Sequence, residues 1–323
     1  MKTLRSLSEV PPDFGPVVAT IGNFDGVHSG HRWVIDKVNA RAAALGLQSL
    51  AITFDPHPVR VLRPDAPHWL ITPLAQKLDL LATTGIDATL VLPFTTELSH
   101  LSAESFARAI LRDRCHIAEC HEGETFRFGY QAAADMQGFE ALASSLGFRV
   151  YGYSPHILRG GPVSSSRIRA LISAGEVSRA RPLLGRPFAI RSTPAPGRGY
   201  GTRYTVPTIN LAPYPELLPA HGVYITTIEV GSNNPNSETF QAVTNVGNRP
   251  TFGADSFTVE THILDFHPVD LAEETPLELT FLHRLRDEIR FPSTEALLAQ
   301  IKRDVRKAQR YFDLSQLYSI RSS

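Results

Sequence analysis

The stretch Gly22-Asn-Phe-Asp-Gly-Val-His-Ser-Gly-His31 decides how the first half of this chain folds. It directly follows Val17-Val-Ala-Thr-Ile21, a short β-branched run that is typical of a buried strand. It leads into a helical pattern from about His31 to Ala44, with apolar residues on one face. A strand, a glycine turn and a helix in this order present free backbone N–H groups and a helix dipole to phosphate. The stretch therefore predicts an anion site at the end of the first buried strand.

Strand and helix patterns alternate through the rest of this half. Strand patterns occupy Gln48–Phe54 and Ala88–Leu92, and helical patterns occupy Leu74–Leu81 and Phe106–Arg112. This alternation predicts a Rossmann-like α/β domain, in which helices cover both faces of a parallel sheet. Ligands of such sheets bind at the carboxyl ends of the strands, where the strand order reverses. The loop after Ile21 is therefore the first candidate site.

The pattern changes near Gly185, where strand-like segments follow one another without helices between them. These segments are residues 223–230, 240–246, 258–264 and 277–282. They predict an antiparallel barrel or sandwich, and apolar residues at helical spacing after Ser293 predict a terminal helix. We expect two domains, 1–182 and 183–323, which a chain of 323 residues is long enough to form.

Composition narrows the classes of function. The chain has 32 Lys plus Arg and 32 Asp plus Glu, and this balance argues against a nucleic-acid-binding surface. The N-terminus is too polar for a signal peptide, and no stretch approaches the roughly 20 apolar residues of a membrane helix. Two cysteines, Cys115 and Cys120, cannot build a disulfide framework. We expect a cytoplasmic protein, a monomer or weak homo-oligomer, with neither nucleic acid nor a membrane as partner.

Two histidines make the first motif chemically specific. His28 and His31 are three residues apart near the helix start, so their imidazoles can point the same way. Convergent imidazoles and N–H donors suit the spread negative charge of nucleotidyl transfer. Gly30 between them lets the backbone approach a phosphate closely. A lone histidine would more often be structural, whereas this pair with Phe24 and Asp25 indicates a phosphate site.

The motif G-x-F-D-G-x-H-x-G-H resembles the HxGH nucleotidyltransferase superfamily, and this ten-residue form looks like its flavin adenylyltransferase branch. A later segment, Val163-Ser-Ser-Ser-Arg-Ile-Arg169, resembles the second ATP-phosphate element of that family. The resemblance implies that the phosphate of FMN attacks the α-phosphorus of ATP and releases pyrophosphate. The residues it assigns to the nucleotide side are His28, His31, Ser164 and Arg167, with Asn23, Phe24, Asp25 and Gly30 in the same loop.

A third segment, Gly123-Glu-Thr-Phe-Arg-Phe-Gly129, resembles the flavin-side element of the family. By that resemblance Phe126 and Phe128 contact the flavin. The segment departs from the family at Thr125, where Asp or Asn is common. This departure favours an alternative in which the N-terminal half adenylylates weakly or not at all.

The second half contains a glycine-rich loop, Gly197-Arg-Gly-Tyr-Gly201, and then Pro207-Thr-Ile-Asn210. The glycines Gly197, Gly199 and Gly201 allow the loop to fold over phosphates, although such a loop alone is a weak signal. In a strand Thr208 and Asn210 share one face, and two oxygen ligands on one side suit Mg²⁺. An ordinary turn into a strand is the alternative.

Glu260 stands in the strand pattern Val259-Glu-Thr-His-Ile-Leu264. A strand carboxylate near a phosphate site can act as base for a primary hydroxyl, and a solvent-facing glutamate is the alternative. With Asn245-Val-Gly-Asn-Arg-Pro-Thr-Phe252, these motifs resemble the riboflavin kinase domain in order and spacing. The resemblance implies that Thr208 and Asn210 hold Mg²⁺ and phosphate, that Glu260 activates the ribityl hydroxyl, and that Arg286 lies near the flavin.

Both halves thus resemble one family, the bifunctional prokaryotic riboflavin kinase/FMN adenylyltransferases, which implies riboflavin, FMN and ATP as substrates and Mg²⁺ as cofactor. One alternative is a riboflavin kinase with a weak or inactive adenylyltransferase domain. A second is a non-catalytic flavin-binding regulator. His28, His31, Asn210 and Glu260 argue against the second, because a pure binder does not need these groups together.

Overall fold

Two six-stranded sheets organise this chain, one parallel and one antiparallel. The computed structural model describes residues 1–195, 208–232, 236–248, 257–269 and 271–320. The chain divides into two units, Met1–Ser165 and Ser166–Ser323, and each sheet lies within one unit. None of the helices in the described ranges has both the length and the apolarity needed to cross a membrane.

The six strands of the first sheet are β1 (Lys2–Leu4), β2 (Val17–Ile21), β3 (Gln48–Asp55), β4 (Ala88–Pro93), β5 (Ile117–Gly123) and β6 (Arg149–Tyr153). They are all parallel and lie in the order β1-β4-β3-β2-β5-β6. The order reverses at β2, which has β3 on one side and β5 on the other. Every residue of β2 is buried, because both faces of this central strand are covered. The prediction of a Rossmann-like parallel sheet is confirmed.

Helices cover both faces of this sheet, and they are α1 (Ser29–Leu45), α2 (Pro58–Leu62), α3 (Leu74–Ala82), α4 (Thr96–Ser99), α5 (Ala103–Phe106) and α6 (Met136–Leu146). α1 buries Ile35 and Val38 against one face. α6 buries Phe139 in the core on the other face. α5 continues into a π-helical segment over residues 107–112, and a short hairpin of β7 (Ile157–Leu158) and β8 (Gly161–Pro162) follows β6.

The second unit begins with two helices, α7 (Ser165–Ser173) and α8 (Val177–Leu184). Its strands are β9 (Phe188–Ser192), β10 (Thr208–Asn210), β11 (Gly222–Val230), β12 (Glu238–Asn248), β13 (Phe257–Ile263) and β14 (Leu277–Arg286). They form an antiparallel sheet in the order β10-β13-β12-β11-β14-β9. The two edges meet, because Ala195 N–H donates to Asn210 O and Ala212 N–H donates to Thr193 O. The predicted antiparallel barrel is confirmed.

The terminal helix α9 (Thr294–Ile320) packs on one face of this second sheet. Ser293 caps this helix, since the Ala296 N–H donates to the Ser293 hydroxyl at 3.3 Å. The shared core consists of Val223, Ile225, Val243, Leu264, Ala308 and Phe312. On the other face, the hydroxyls of Thr226, Thr244 and Thr261 form a buried hydrogen-bonded row with spacings of 2.8 and 3.0 Å.

Candidate active sites

The loop between β2 and α1 lies at the reversal point of the first sheet. His28 is the N-cap residue of α1, and its Nδ1 accepts a hydrogen bond from the His31 N–H at 3.2 Å. The two imidazole rings stack with their centroids 3.5 Å apart and their planes 14° from parallel. Phe24 packs edge-on against His31 at 5.2 Å. The structure thus brings the two predicted histidines into one stacked pair at the start of the helix.

The surroundings of this pair favour a neutral His31 imidazole. Its Nδ1 is shielded from solvent and has no hydrogen-bond partner among the described residues. Burial lowers the pKa of His31 well below its usual value, and the nearby charges of His28 and Lys77 lower it further. A neutral imidazole offers one donor and one acceptor, so the pair can engage a phosphate oxygen without an ion pair.

A first cavity of about 240 Å³ opens beside the stacked pair. The motif residues in its lining are Gly22, Phe24, His28, Gly30 and His31. A Cβ atom at Gly30 would come within 3.2 Å of the His28 ring. Gly30 therefore lets the imidazole of His28 lie against the backbone at the helix start.

Aromatic side chains form another part of the lining of this first cavity. Trp33 of α1 packs edge-on against Tyr153 at 5.3 Å and nearly parallel to His156 at 6.1 Å. The Tyr153 hydroxyl lies 2.7 Å from His121 Nδ1, which holds the ring of Tyr153 in place. Aromatic walls next to phosphate-binding groups suit a nucleotide, because its base can stack on the rings.

Three other residues were assigned to the nucleotide side from the sequence, and they are Asp25, Ser164 and Arg167. Asp25 is buried, and its Oδ1 accepts hydrogen bonds from the backbone N–H groups of Ile71 and Thr72 at 2.9 and 3.0 Å. Its side chain holds this neighbouring segment and does not line the first cavity in the described part of the chain. Ser164 directly precedes α7, and Arg167 lies in the first turn of α7.

A second cavity, of about 580 Å³, lies beside the first and is mostly apolar. Asn23 lines this cavity together with Phe126 and Phe128, whose ring centroids are 5.6 Å apart. The two cavities share four lining residues, which are Ile21, Gly22, Thr125 and Phe126. Thr125, the residue that departs from the family pattern, therefore lies where the two cavities meet.

Sequence reasoning missed a buried lysine behind the first motif. Lys77 Nζ donates to the carbonyl oxygen of Asn23 at 3.1 Å and to the Thr53 hydroxyl at 3.2 Å. Burial lowers the pKa of Lys77, while the carboxylates of Asp25 and Asp55 oppose that shift. Its position in the apolar stripe of α3 was the available signal, because a lysine on the core side of a helix needs a partner.

Three of the predicted kinase residues, Asn210, Glu260 and Arg286, fall in one row across the second sheet. Asn210 pairs with Glu260, Glu260 with Asn245, Asn245 with Val223, and Val223 with Arg286. Residues directly opposite each other in a sheet project from the same face, so this row presents one amide, one carboxylate, a second amide and one guanidinium. A third cavity of about 350 Å³ opens on this face.

Thr208 occupies the next row of the same face. It pairs with His262, and its hydroxyl lies 3.4 Å from His262 Nδ1. Burial lowers the pKa of His262. Thr208, Glu260 and His262 all line the third cavity, whose oxygen donors are of the type that Mg²⁺ prefers.

Arg286 is held in a defined orientation at the end of the row. Its Nε and Nη2 both contact Asp304 Oδ2 at 2.9 Å, and its guanidinium lies 5.7 Å from the Phe291 ring centroid. Asp304 is buried and also accepts a hydrogen bond from the Gln300 side chain at 2.8 Å. Apolar side chains complete this part of the cavity: Ile289, Phe291, Leu297, Ile301 and Val305.

Some predicted elements of the kinase site lie outside the described residues. They are the glycines Gly197, Gly199 and Gly201 and residues 249–252 of the motif that begins at Asn245. Among the described residues, Asn245 and Asp304 are site residues that the residue-by-residue prediction did not include. Asn245 could be found only from the register of the strands. The available signal for Asp304 was an acidic residue on the apolar face of α9.

Comparison with known proteins finds a family model for each part of the chain. A family model described as FAD synthetase matches residues 11–167, and one described as riboflavin kinase matches residues 184–312. A crystal structure described as a macrolide-efflux protein from Streptococcus pneumoniae has a TM-score of 0.82 and 25% identity, covering 95% of this chain and 98% of that one. It supports the fold along nearly the whole chain.

Curated relatives cover the same length. The bifunctional riboflavin kinase/FMN adenylyltransferase of Pseudomonas fluorescens is 33% identical over 96% of this chain and 97% of its own length. The proteins of that name from Listeria monocytogenes and Escherichia coli K12 are 32% and 29% identical, over 91% and 98% of this chain and 92% and 98% of their own. The chain therefore belongs to the bifunctional riboflavin kinase/FMN adenylyltransferase family.

Proposed function

We propose that this chain makes FAD from riboflavin in two ATP-dependent steps, phosphorylating riboflavin to FMN in its second unit and adenylylating FMN in its first. The observation that carries this proposal is that each unit places its motif residues beside a cavity with aromatic or apolar walls. Such a cavity suits the flavin ring or the adenine base, while the polar motif groups suit phosphate.

In the first unit, ATP binds in the cavity beside the stacked histidines, and FMN binds in the adjacent apolar cavity. His28 and His31, with the N–H groups at the start of α1, hold the ATP phosphates. The family resemblance adds Ser164 and also Arg167, which comes just after the last residue of the first unit, Ser165. Phe126 and Phe128 contact the isoalloxazine ring. Because the cavities share a wall at Gly22, the FMN phosphate lies next to the α-phosphorus of ATP.

The adenylylation forms one bond and breaks another. An oxygen of the FMN phosphate attacks the α-phosphorus, the bond between that phosphorus and the bridging oxygen breaks, and pyrophosphate leaves. Alignment of the two phosphates and stabilisation of their charge supply most of the rate, as in phosphoryl transfer generally. Asn23 lies at the flavin side of this wall, and Asp25 positions the loop from behind.

In the second unit, the ribityl hydroxyl oxygen of riboflavin attacks the γ-phosphorus of ATP, and ADP leaves. Glu260 accepts the proton of that hydroxyl during the attack. Thr208 and Asn210 would hold Mg²⁺, which supplies charge neutralisation at the phosphates when it is bound. Arg286, oriented by Asp304, lies along the flavin. Gly197, Gly199 and Gly201 lie outside the described residues, and only the family resemblance assigns them to the ATP phosphates.

We also assign the two activities to domains 1–182 and 183–323, with the matched family segments ending at 167 and beginning at 184 as support. The protein would act in the cytoplasm on riboflavin, FMN and ATP, as a monomer or weak homo-oligomer. It would need neither nucleic acid nor a membrane.

Chromatographic time courses with purified protein, ATP and Mg²⁺ test both activities. Starting from riboflavin, we expect FMN and then FAD, and starting from FMN we expect FAD directly. FMN that accumulates without FAD from either start would support a kinase with an inactive adenylyltransferase domain and would implicate Thr125. Flavin binding without any product would support a non-catalytic regulator and contradict the proposal.

A further inference from the structure

Glu122 is a buried carboxyl group in the lining of the first cavity, and neither motif includes it. It lies near the end of β5 with 4% of its surface exposed. Its Oε1 accepts a hydrogen bond from the Ile21 N–H at 2.5 Å, and the Cys120 thiol lies 3.6 Å away. Ile21 is the last residue of β2, so this contact fixes the point where the phosphate-binding loop begins.

The surroundings of Glu122 disfavour its charged form. No ion pair to Glu122 occurs among the described residues. Its neighbours on the adjacent strands are uncharged: the Thr20 hydroxyl and the Ile21 N–H on β2, and Gly152 on β6. The other titratable side chains on its own strand are Glu119, Cys120 and His121. Those in the lining of the same cavity are His28, His31, Glu124, Tyr153 and His156. Burial raises the pKa of Glu122 to about 8, although its hydrogen bonds oppose the shift. The carboxyl is therefore mainly neutral at physiological pH.

The charge of this group matters because of what the cavity holds. Under the proposed function, on which this inference rests, the cavity receives the triphosphate of ATP. A neutral carboxyl can keep its oxygen on the Ile21 N–H and direct its own O–H toward a phosphate oxygen. A carboxylate in the same wall would repel the phosphates.

We propose that Glu122 is a positioning residue of the adenylyltransferase site: its neutral carboxyl anchors the phosphate-binding loop through Ile21, and its ionisation switches off adenylyl transfer without affecting riboflavin phosphorylation. The chain then forms FAD from FMN only while Glu122 is protonated. The kinase site lies in the other unit and lacks this group, so the FMN it forms would accumulate at alkaline pH.

The test compares both reactions of the full-length protein between about pH 7 and about pH 9.5. We expect kcat/KM for ATP in FAD formation from FMN to fall about tenfold per pH unit above about 8, while FMN formation from riboflavin shows no such fall. Glu122→Gln keeps an acceptor for Ile21 and stays neutral, so its adenylylation should not fall in this range. Glu140→Gln, an exposed α6 position with the same charge change, should keep the wild-type profile.

Three outcomes would overturn the proposal. A wild-type profile that stays flat, or an equal alkaline fall in Glu122→Gln, would show that ionisation of Glu122 does not control the reaction. Loss of adenylylation in folded Glu122→Gln at every pH would show that a carboxylate is required. Absence of FAD from wild-type protein at all pH values would instead contradict the proposed function itself.

A second measurement uses the wild-type protein alone and does not depend on the folding of a variant. Calorimetric titration with pyrophosphate, the product of adenylylation, in buffers of different ionisation enthalpy measures the protons taken up on binding. We expect proton uptake at about pH 8 to 8.5, because the bound anion favours the neutral carboxyl. Binding without proton uptake in this range would contradict the inference.

Discussion

The guanidinium of Arg286 and the buried carboxylate of Asp304 form an ion pair at 2.9 Å, which joins the last strand of the kinase sheet to α9. Asp304 Oδ2 faces both Nε and Nη2 of Arg286, and Gln300 occupies Oδ1. The carboxylate therefore has a partner on each oxygen. This arrangement gives Arg286 one orientation along the wall of the third cavity, where Phe291 lies against the guanidinium.

Removing the carboxylate should disorder this wall. We expect Asp304→Ala to raise KM for riboflavin about tenfold and to lower the free energy of unfolding of the second unit by about 3 kcal/mol, because a mostly buried guanidinium loses its partner. FAD formation from FMN in the same protein should be unchanged. Asp313→Asn, an exposed change on the same helix, serves as control for both measurements. An unchanged KM would show that Arg286 does not contact riboflavin.

Glu260 lies between two amides, with Asn210 opposite it on one neighbouring strand and Asn245 on the other. Glu260→Gln should lower kcat for FMN formation roughly 10²–10⁴-fold, because the base is removed. Riboflavin binding, measured by quenching of flavin fluorescence, should persist. Glu273→Gln, an exposed loop position, should retain full activity. Unchanged FMN formation in Glu260→Gln would refute its role as base.

Much of this site could be predicted from local sequence, but its assembly could not. The four long strands of the barrel follow from runs of β-branched and apolar residues, and Thr208 and Asn210 share a face because strands alternate. The meeting of Asn210, Glu260 and Asn245 depends on β10 pairing with β13 across a long sequence separation. No local pattern encodes that register, because non-local strand pairing is decided by the whole core.

In the first unit, too, the sequence predicted some elements and missed others. Residues 17–21 form a strand as predicted, because a short β-branched run that ends at glycine suits a buried strand. Strand β6 escaped prediction because it is an edge strand with polar and glycine positions, although Asp135 and Gly147 were available as cap and stop signals for the helix α6 before it. Glu122 escaped because its chemistry comes from burial, which its local sequence does not reveal, whereas Lys77 could have been found from its place in the apolar stripe of α3.

Asp25 stabilises the segment that contains Ile71 and Thr72, whose backbone N–H groups donate to its carboxylate. Asp25→Ala should lower the free energy of unfolding of the first unit by about 2 kcal/mol, since the N–H groups of Ile71 and Thr72 lose their acceptor. Asp25→Asn keeps one oxygen acceptor, so its free energy of unfolding should fall less than that of Asp25→Ala. Both tryptophans, Trp33 and Trp69, lie in this unit, so tryptophan fluorescence in urea reports its unfolding selectively. Equal losses in the two variants would contradict the hydrogen-bond argument.

The depressed pKa of His31 makes the stability of the first unit depend on pH. Below about pH 6.5 the unfolded chain takes up a proton on His31, while the folded imidazole stays neutral. Because the unfolded state binds more protons, the free energy of unfolding falls as pH is lowered toward the folded pKa. The tryptophan-detected urea midpoint should therefore fall between about pH 7 and about pH 5, and fall less in His31→Gln. The exposed His100→Gln should behave as wild type.

Lys77 connects the phosphate-binding loop to the end of β3, since its ammonium group contacts the Asn23 carbonyl and the Thr53 hydroxyl. Lys77→Met preserves most of the buried volume but removes the donor, so we expect a loss of about 1–3 kcal/mol in the first unit. The freed loop should raise KM for ATP in adenylylation, while riboflavin phosphorylation stays constant. Lys2→Met, an exposed change in the same unit, should alter neither. If Lys77→Met lost stability but kept the wild-type KM, Lys77 would support the fold without positioning the loop.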